Sequence, residues 1–403
     1  MSTDVLVIGG GIVGTASAYH LARRGLSVTL LEAEELAFGA TGRNLGYIWI
    51  HTRRAGPELD LVMATRDELE QLPEELGAEF GLLPRGGLIY FTRPEQAAVM
   101  REFVDRRVAD GVPMQLLSGD EARELAPILP DTVLGATFCP LDAQIDSRRY
   151  VQAFAGAAQR AGATIIEGSA VRSFEQRDGR VARVVTDAVD YSPGTVVLAA
   201  GAWTPFIARQ LGLDLPIHSM RLQIIRTQAM PPMLDRLLYG PAAIKQYSIF
   251  QELPSFRESL FATEVEARHG LALLEAACQA ADGSFLLGCA MDYPGFDWNP
   301  DLAGVALVSE GLAASIPQLR NARFARAWAG VLPFTADNLP IIGRAPGLGD
   351  VVIAAGHVFG NGAGPTTGRL VAELLAGETP SLGLEAFRPD RSSLRNAVAQ
   401  SVW

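Results

Sequence analysis

Short apolar runs separated by glycine-rich turns recur along the chain, with helical patterns between them. The first run, Val5-Leu6-Val7-Ile8, leads into Gly9-Gly10-Gly11-Ile12-Val13-Gly14 and then a helical pattern reaching Arg24. Gly25 and a second apolar run, Ser27 to Leu31, complete a β-α-β unit. Gly194 to Ala200 and Val351 to Ala355 read as further apolar strands, and Leu222–Thr227, Ser284–Gly288 and Ala243–Phe250 as strands of another sheet. After Ala355 the pattern turns helical: Pro365 suits a first turn, Leu370, Val371, Leu374 and Leu375 share a face, and Gly377 fits the stop. The expected class is α/β, built on this Rossmann-like unit. No window approaches the roughly 20 uninterrupted apolar residues of a membrane-spanning helix.

The glycines carry the first chemical signal. Gly9 permits a tight turn, Gly11 lets a pyrophosphate approach the backbone, and Gly14 allows close packing of helix on sheet. Ile12 and Val13 open the helix, where free N–H groups and the helix dipole favour an anion. Glu32 closes the second strand, where a carboxylate can accept both ribose hydroxyls and would repel a 2′-phosphate, so NADP is disfavoured. A second strand–glycine–helix unit lies at the other end of the chain: Gly356-His357-Val358-Phe359-Gly360-Asn361-Gly362-Ala363-Gly364, then Pro365 and Thr366. Its bare amides would suit a group that gains negative charge during turnover, as a flavin does on reduction, which selects FAD over NAD.

Further segments complete a pattern: Gly39-Ala40-Thr41-Gly42-Arg43-Asn44, Gly135-Ala136-Thr137 through Asp146, Val196 through Ala200-Gly201-Ala202-Trp203, and Gly330-Val331-Leu332-Pro333 leading to Pro340-Ile341-Ile342-Gly343. In their order and spacing the chain resembles the D-amino-acid oxidase superfamily of FAD-dependent amine oxidoreductases, which includes glycine oxidase, sarcosine oxidase and D-amino-acid dehydrogenases. The resemblance implies a discontinuous Rossmann-like FAD-binding domain of residues 1–84, 131–215 and 326–403, and an α+β substrate domain with a mostly antiparallel sheet, of residues 85–130 and 216–325. It implies that Val171 contacts the adenine, that Arg43 and Asn44 lie beside the isoalloxazine, and that Ala200, Gly201 and Trp203 belong to the cofactor site. The Cys and His that some members use for covalent attachment fall on Gly330 and Arg43, so a non-covalent FAD is expected. Two departures stand out. Phe359 occupies the place of an Arg that grips the substrate carboxylate in glycine oxidase-like members, and Leu286 that of an oxygen-activating Lys in sarcosine oxidases. These argue against a simple glycine-like substrate and for an acceptor other than oxygen.

Composition narrows the class. Of 403 residues 48% are hydrophobic and the formal net charge is −11, which excludes a disordered tail and a basic nucleic-acid-binding module. The first strand begins at Val5, leaving no room for an export signal, and the three cysteines (Cys139, Cys278, Cys289) lack CxxC spacing. A cytoplasmic location, reduced thiols and no metal are expected.

For substrate contacts the segment Tyr47-Ile48-Trp49-Ile50-His51-Thr52-Arg53-Arg54 is the most distinctive. If extended, it places Tyr47, Trp49, His51 and Arg53 on one face; the rings would exclude water, and His51 or an Arg could hold a carboxylate or accept an ammonium proton. Lys245, the one lysine, and Tyr247 lie two apart on the Ala243–Phe250 strand, and His357 follows Gly356 at the flavin edge. The expected reaction is oxidation of an amino acid or secondary amine by hydride transfer to flavin N5, hydrolysis of the imine, and passage of electrons to oxygen or another acceptor. The alternatives are a 2-hydroxy-acid oxidoreductase on the same scaffold, or the flavin subunit of a hetero-oligomeric electron-transfer dehydrogenase. The partners expected are a small amine or amino acid and an electron acceptor, with a homo- or hetero-oligomer left open.

Overall fold

Six strands form one sheet in the computed structural model, which describes residues 1–396. Their spatial order is Ile341–Ala345, Leu348–Ala355, Ser192–Leu198, Ser2–Ile8, Val28–Leu31 and Thr164–Ile166. All neighbours are parallel except the first pair. Apolar runs suit this sheet because helices and loops cover both of its faces. The helix Ile12–Ala22 follows the strand Ser2–Ile8, and Gly360–Ala376 follows Leu348–Ala355, so both helices start at the same edge of the sheet. Within Ile12–Ala22 only His20 is partly exposed, hence the lack of an amphipathic stripe. The two helices cross closely: a methyl on Gly368 would meet the Ala16 carbonyl carbon at 2.5 Å.

The second sheet has eight strands in the order Phe324–Phe334, His218–Ala229, Ser284–Asp292, Ala272–Gln279, Leu237–Tyr239, Gly87–Phe91, Gly135–Cys139 and Gln115–Ser118. Its single parallel pair joins Leu237–Tyr239 to Gly87–Phe91. The strands expected at Leu222–Thr227 and Ser284–Gly288 lie within it.

Two expectations differ from what is found. Ala243–Phe250 is not a strand but parts of two short helices, Pro241–Ile244 and Ser248–Gln251. Extended Gly240 followed by Pro241, whose fixed φ suits a first helical position, starts the first of them. The expected boundaries at 130 and 326 also cut through the eight-stranded sheet, because Gly135–Cys139 and Phe324–Phe334 are strands of it. Residues 397–403 of the expected FAD-binding segment lie outside the described residues. No described helix is long and apolar enough to cross a membrane.

Candidate active site

A cavity of about 530 Å³ runs from the edge of the six-stranded sheet to the face of the eight-stranded one. At one end lie Gly9, Gly11, Ile12 and Val13, the turn and the first residues of Ile12–Ala22. Gly9 has φ +117°, and a methyl there would stand 2.4 Å from the Ala199 carbonyl oxygen, so only glycine fits this turn. A methyl on Gly14 would stand 1.9 Å from the Gly9 oxygen: Gly14 shapes the cradle from beneath and is not part of the wall. The N-cap Gly11 offers no side chain to Ile12–Ala22, the Ile12 amide donates only to the Thr41 hydroxyl at a long 3.4 Å, and Ile12 and Val13 line the cavity. Glu32 lies beside them, its carboxylate accepting from the Gly10 amide at 2.6 Å and the Glu34 amide at 3.0 Å, and burial raises its pKa. Val171, Ala200, Gly201 and Trp203 line the same end.

The second helix N-terminus opens on the same cavity. His357, Gly360 and Asn361 are in the wall, and Gly360–Ala376 likewise has no side-chain cap. Here the structure corrects the sequence reading, because the helix already starts at Gly360 and Pro365 falls inside it. The Gly362 and Ala363 amides are taken up by the Phe359 carbonyl. Gly362 packs on Val62, Gly364 on Ile12, and Thr366 bonds Thr65 at 2.7 Å, all away from the wall. Gly356 supplies the preceding turn, at φ +82°, and is also outside the wall. Asn361 donates to Asn44 Oδ1 and Ser147 Oγ, each at 3.1 Å, tying this helix to the Ala40–Arg43 turn. Its own Oδ1 is buried without a partner, an acceptor that a bound donor would satisfy.

Asn44 lines the cavity, whereas Arg43 turns aside. The Arg43 guanidinium lies 4.7 Å from the Phe38 ring centre and donates to the Phe38 carbonyl at 2.8 Å. Gly330 sits behind it, a methyl there meeting Arg43 Cβ at 3.1 Å, so the two positions that lack an attachment nucleophile adjoin each other outside the wall. Cys289 does reach the wall; burial pushes its pKa up and keeps it a thiol, a weak nucleophile.

The far end of the cavity is aromatic. Tyr47, Trp49, Tyr239 and Tyr247 line it. Trp49 stands edge-on to Tyr239 at 4.4 Å, and Tyr47 lies 5.6 Å from Tyr239. Burial lifts the Tyr47 and Tyr239 phenols well above their ordinary range and pushes Tyr247 up to about 12. Burial pushes His357 down to about 3, and its Nε2 lies 2.9 Å from Thr367 Oγ1.

Two expected substrate contacts lie elsewhere. Strand pairing ends at Ile48, and the Arg53 amide donates to the Ile50 carbonyl at 3.1 Å, so the chain turns and the alternation breaks after Trp49. His51 therefore stacks behind Trp49, rings 4.8 Å apart, and is fully buried outside the wall. Its Nδ1 is 3.0 Å from Asp142 and its Nε2 2.6 Å from Thr137. With Cys139 and Asp142 it forms a buried group whose donor atoms lie within 4.8 Å of one another, though both ring nitrogens are already engaged. Lys245 pairs with Glu266 beside a separate small pocket, because the turn into helix carries it away from the aromatic end. Leu286 is also outside the cavity wall, so its position lends no weight to the inference about oxygen.

Sequence reasoning missed Tyr239 and the outer ring Trp298. An apolar triplet, Leu237-Leu238-Tyr239, ahead of Gly240-Pro241 was the available signal for the first; for Trp298 there was none.

Residues 4–377 match the DAO family model, described as FAD dependent oxidoreductase. The chain is similar to glycine oxidase of Bacillus licheniformis, 28% identical over 398 residues that cover 96% of this chain and 97% of that protein. Among solved structures it is similar to glycine oxidase from Geobacillus kaustophilus, with a TM-score of 0.84 and 25% identity over 97% of this chain and 99% of that one. It is also similar to L-proline dehydrogenase from P. horikoshii, with a TM-score of 0.81 and 26% identity over 96% of this chain and 97% of that one.

Proposed function

The chain belongs to the DAO family of FAD dependent oxidoreductases, and on that premise we propose that it oxidises the C–N bond of an amino acid or secondary amine, with FAD held non-covalently. The carrying observation is that two uncapped helix N-termini open on one cavity whose far end is a group of aromatic rings. The residues fit the cofactor. The Ile12 and Val13 amides would hold the pyrophosphate, Glu32 the ribose, and the Gly360 and Asn361 amides the flavin edge that becomes negative on reduction. When bound, FAD supplies the acceptor for the hydride that leaves the carbon next to nitrogen. Tyr47, Trp49 and Tyr239 exclude water and seat the substrate. As the hydride departs, the amine lone pair forms the C=N bond and the N–H proton is lost; water then hydrolyses the imine to a carbonyl compound and free amine or ammonia. Oxygen or another acceptor takes the electrons.

A hydroxy acid would need a base for its hydroxyl proton. The cavity offers phenols held protonated and a His357 imidazole whose pKa of about 3 makes it a feeble base. A neutral amine needs none. The test is anaerobic mixing of the purified yellow protein with D- and L-amino acids, N-methyl amino acids, amines and hydroxy acids, followed by admission of air. Bleaching by amines or amino acids is the expected result. Bleaching by hydroxy acids alone, or a protein that binds no FAD, would sink the reading, and the speed of recolouring in air identifies oxygen as a good or poor acceptor.

A further inference from the structure

We infer that Arg53 is the anchor for a substrate carboxylate, and that the substrate is a carboxylate-bearing amine with a bulky apolar or aromatic body. The inference rests on the amine-oxidising reading above and deepens it. Arg53 is 2 % exposed and forms part of the cavity wall. Its guanidinium lies against the Phe359 ring, 3.8 Å from the ring centre, so one flat face is covered and the edges are left for in-plane acceptors. Nη2 donates to Thr52 Oγ1 at 3.0 Å, but Nε and Nη1 are buried with no hydrogen-bond partner. Glu58 Oε1 is 3.4 Å from Nη1 without forming a hydrogen bond, and Glu58 is shared with Arg54, which donates to it at 2.7 Å. Two guanidinium groups thus face one carboxylate, leaving a positive charge uncompensated.

A buried cation with orphaned donors is costly alone and is satisfied by an anion. An anion in this cavity lies among Tyr47, Trp49, Tyr239 and Tyr247, which require an apolar body on the same molecule. The indole N–H of Trp49 is a further buried donor without a partner. A planar carboxylate on an apolar amine meets all of these demands, whereas glycine would leave the rings without contact.

The FAD-loaded protein is titrated calorimetrically with phenylacetate and with its neutral isostere phenylacetamide. Wild type is expected to prefer phenylacetate by about 30-fold or more. Arg53→Met, which keeps length and apolar packing, is expected to weaken phenylacetate binding by about the same factor and leave phenylacetamide within about 3-fold. Absence of a carboxylate preference in wild type, or its persistence in Arg53→Met, or equal loss of both ligands, overturns the assignment. Should Arg53→Met not retain FAD, Arg53→Lys decides, because it keeps charge but loses the planar fork. A selective fall of about 10-fold for phenylacetate supports the anchor, and unchanged binding overturns it. An Arg53-dependent preference in a protein that no amine bleaches would refute the functional reading alone. Bleaching by amines without such a preference would refute the anchor alone.

Discussion

At the nucleotide end of the cavity the wall is built around backbone, the Gly9–Gly11 turn and the first residues of Ile12–Ala22, with side chains such as Glu32, Val171 and Trp203 beside it. At the opposite end it is side chains, four aromatic rings and a guanidinium contributed by residues near 47–53 and 239–247. The difference is one of tolerance. Backbone amides hold a ligand only if the turn keeps its shape, so one added methyl group there is felt by the whole cofactor. Side chains at the far end can change one at a time, altering what is seated there while the cofactor stays. The cofactor end accordingly carries the family's glycine signature, and in the proposed reading the aromatic end selects the substrate.

Gly14→Ala attacks that contrast most directly. The new methyl would stand 1.9 Å from the Gly9 carbonyl oxygen, and neither backbone segment can yield without reshaping the turn. We expect FAD affinity to fall by at least about 100-fold, equivalent to roughly 3 kcal/mol. The flavin-to-protein absorbance ratio after gel filtration reads this loss. A variant that stays fully yellow would show that the cradle is less rigid than its packing implies.

Trp49→Ala is the matching change at the other end. The ring is buried between His51 and Tyr239, and removing it opens a cavity worth about 3–5 kcal/mol of stability. FAD content should stay near wild type while kcat/KM for the best amine falls; loss of FAD parallel to loss of stability would mean that the two ends are not separable. Comparison with Trp49→Phe, which keeps most of the packing, divides shape from the indole N–H.

The contrast also explains what could be read in the chain. Recognition by consecutive amides depends on glycine spacing over a few residues, so the tight turn at Gly9, the close packing at Gly14 and the placement of Glu32 beside the turn are legible. The second glycine segment was only half legible, because an interior Pro365 resembles a first-turn proline and the true start at Gly360 depends on how the helix packs on Val62 and Ile12. The aromatic end was least legible. The turn after Ile50 moves His51 behind Trp49 and returns Arg53 to the cavity, and Tyr239 arrives through strand order in the large sheet. Lys245 was drawn in by an alternation that Pro241 converts to helix.

Lys245→Met tests that last correction. Lys245 and Glu266 are largely buried, and Glu266 keeps Thr263 Oγ1 at 2.8 Å and the Leu273 amide at 2.8 Å when the lysine is gone. Stability should drop by roughly 2–3 kcal/mol, less than the ~3–5 of a fully enclosed pair that loses one member. Because the pair lies off the cavity, KM and kcat should be unchanged, measured alongside urea midpoints. A raised KM with unaltered stability would return Lys245 to the substrate site.

The smallest expected effect is the pH dependence of His357. Burial pushes its folded pKa from 6.5 down to about 3, so below pH 6.5 the unfolded chain binds a proton that the folded protein refuses until about pH 3. Stability from this group is therefore full above about pH 6.5 and declines as pH falls through that window, by up to about 1.4 kcal/mol per pH unit. His51, lowered by burial despite Asp142, acts in the same direction. His20, pushed down to about 3 by burial, titrates the same way, and His357→Gln, whose amide can still reach Thr367, removes one of these titrations. Urea unfolding between pH 7.5 and 5.5 should then show a shallower decline than wild type, while the site keeps its FAD, because His357 meets the cavity as a neutral ring at either pH. Equal slopes would mean that His357 takes up its proton in the folded state, and that the flavin end of the cavity admits more water than its burial indicates.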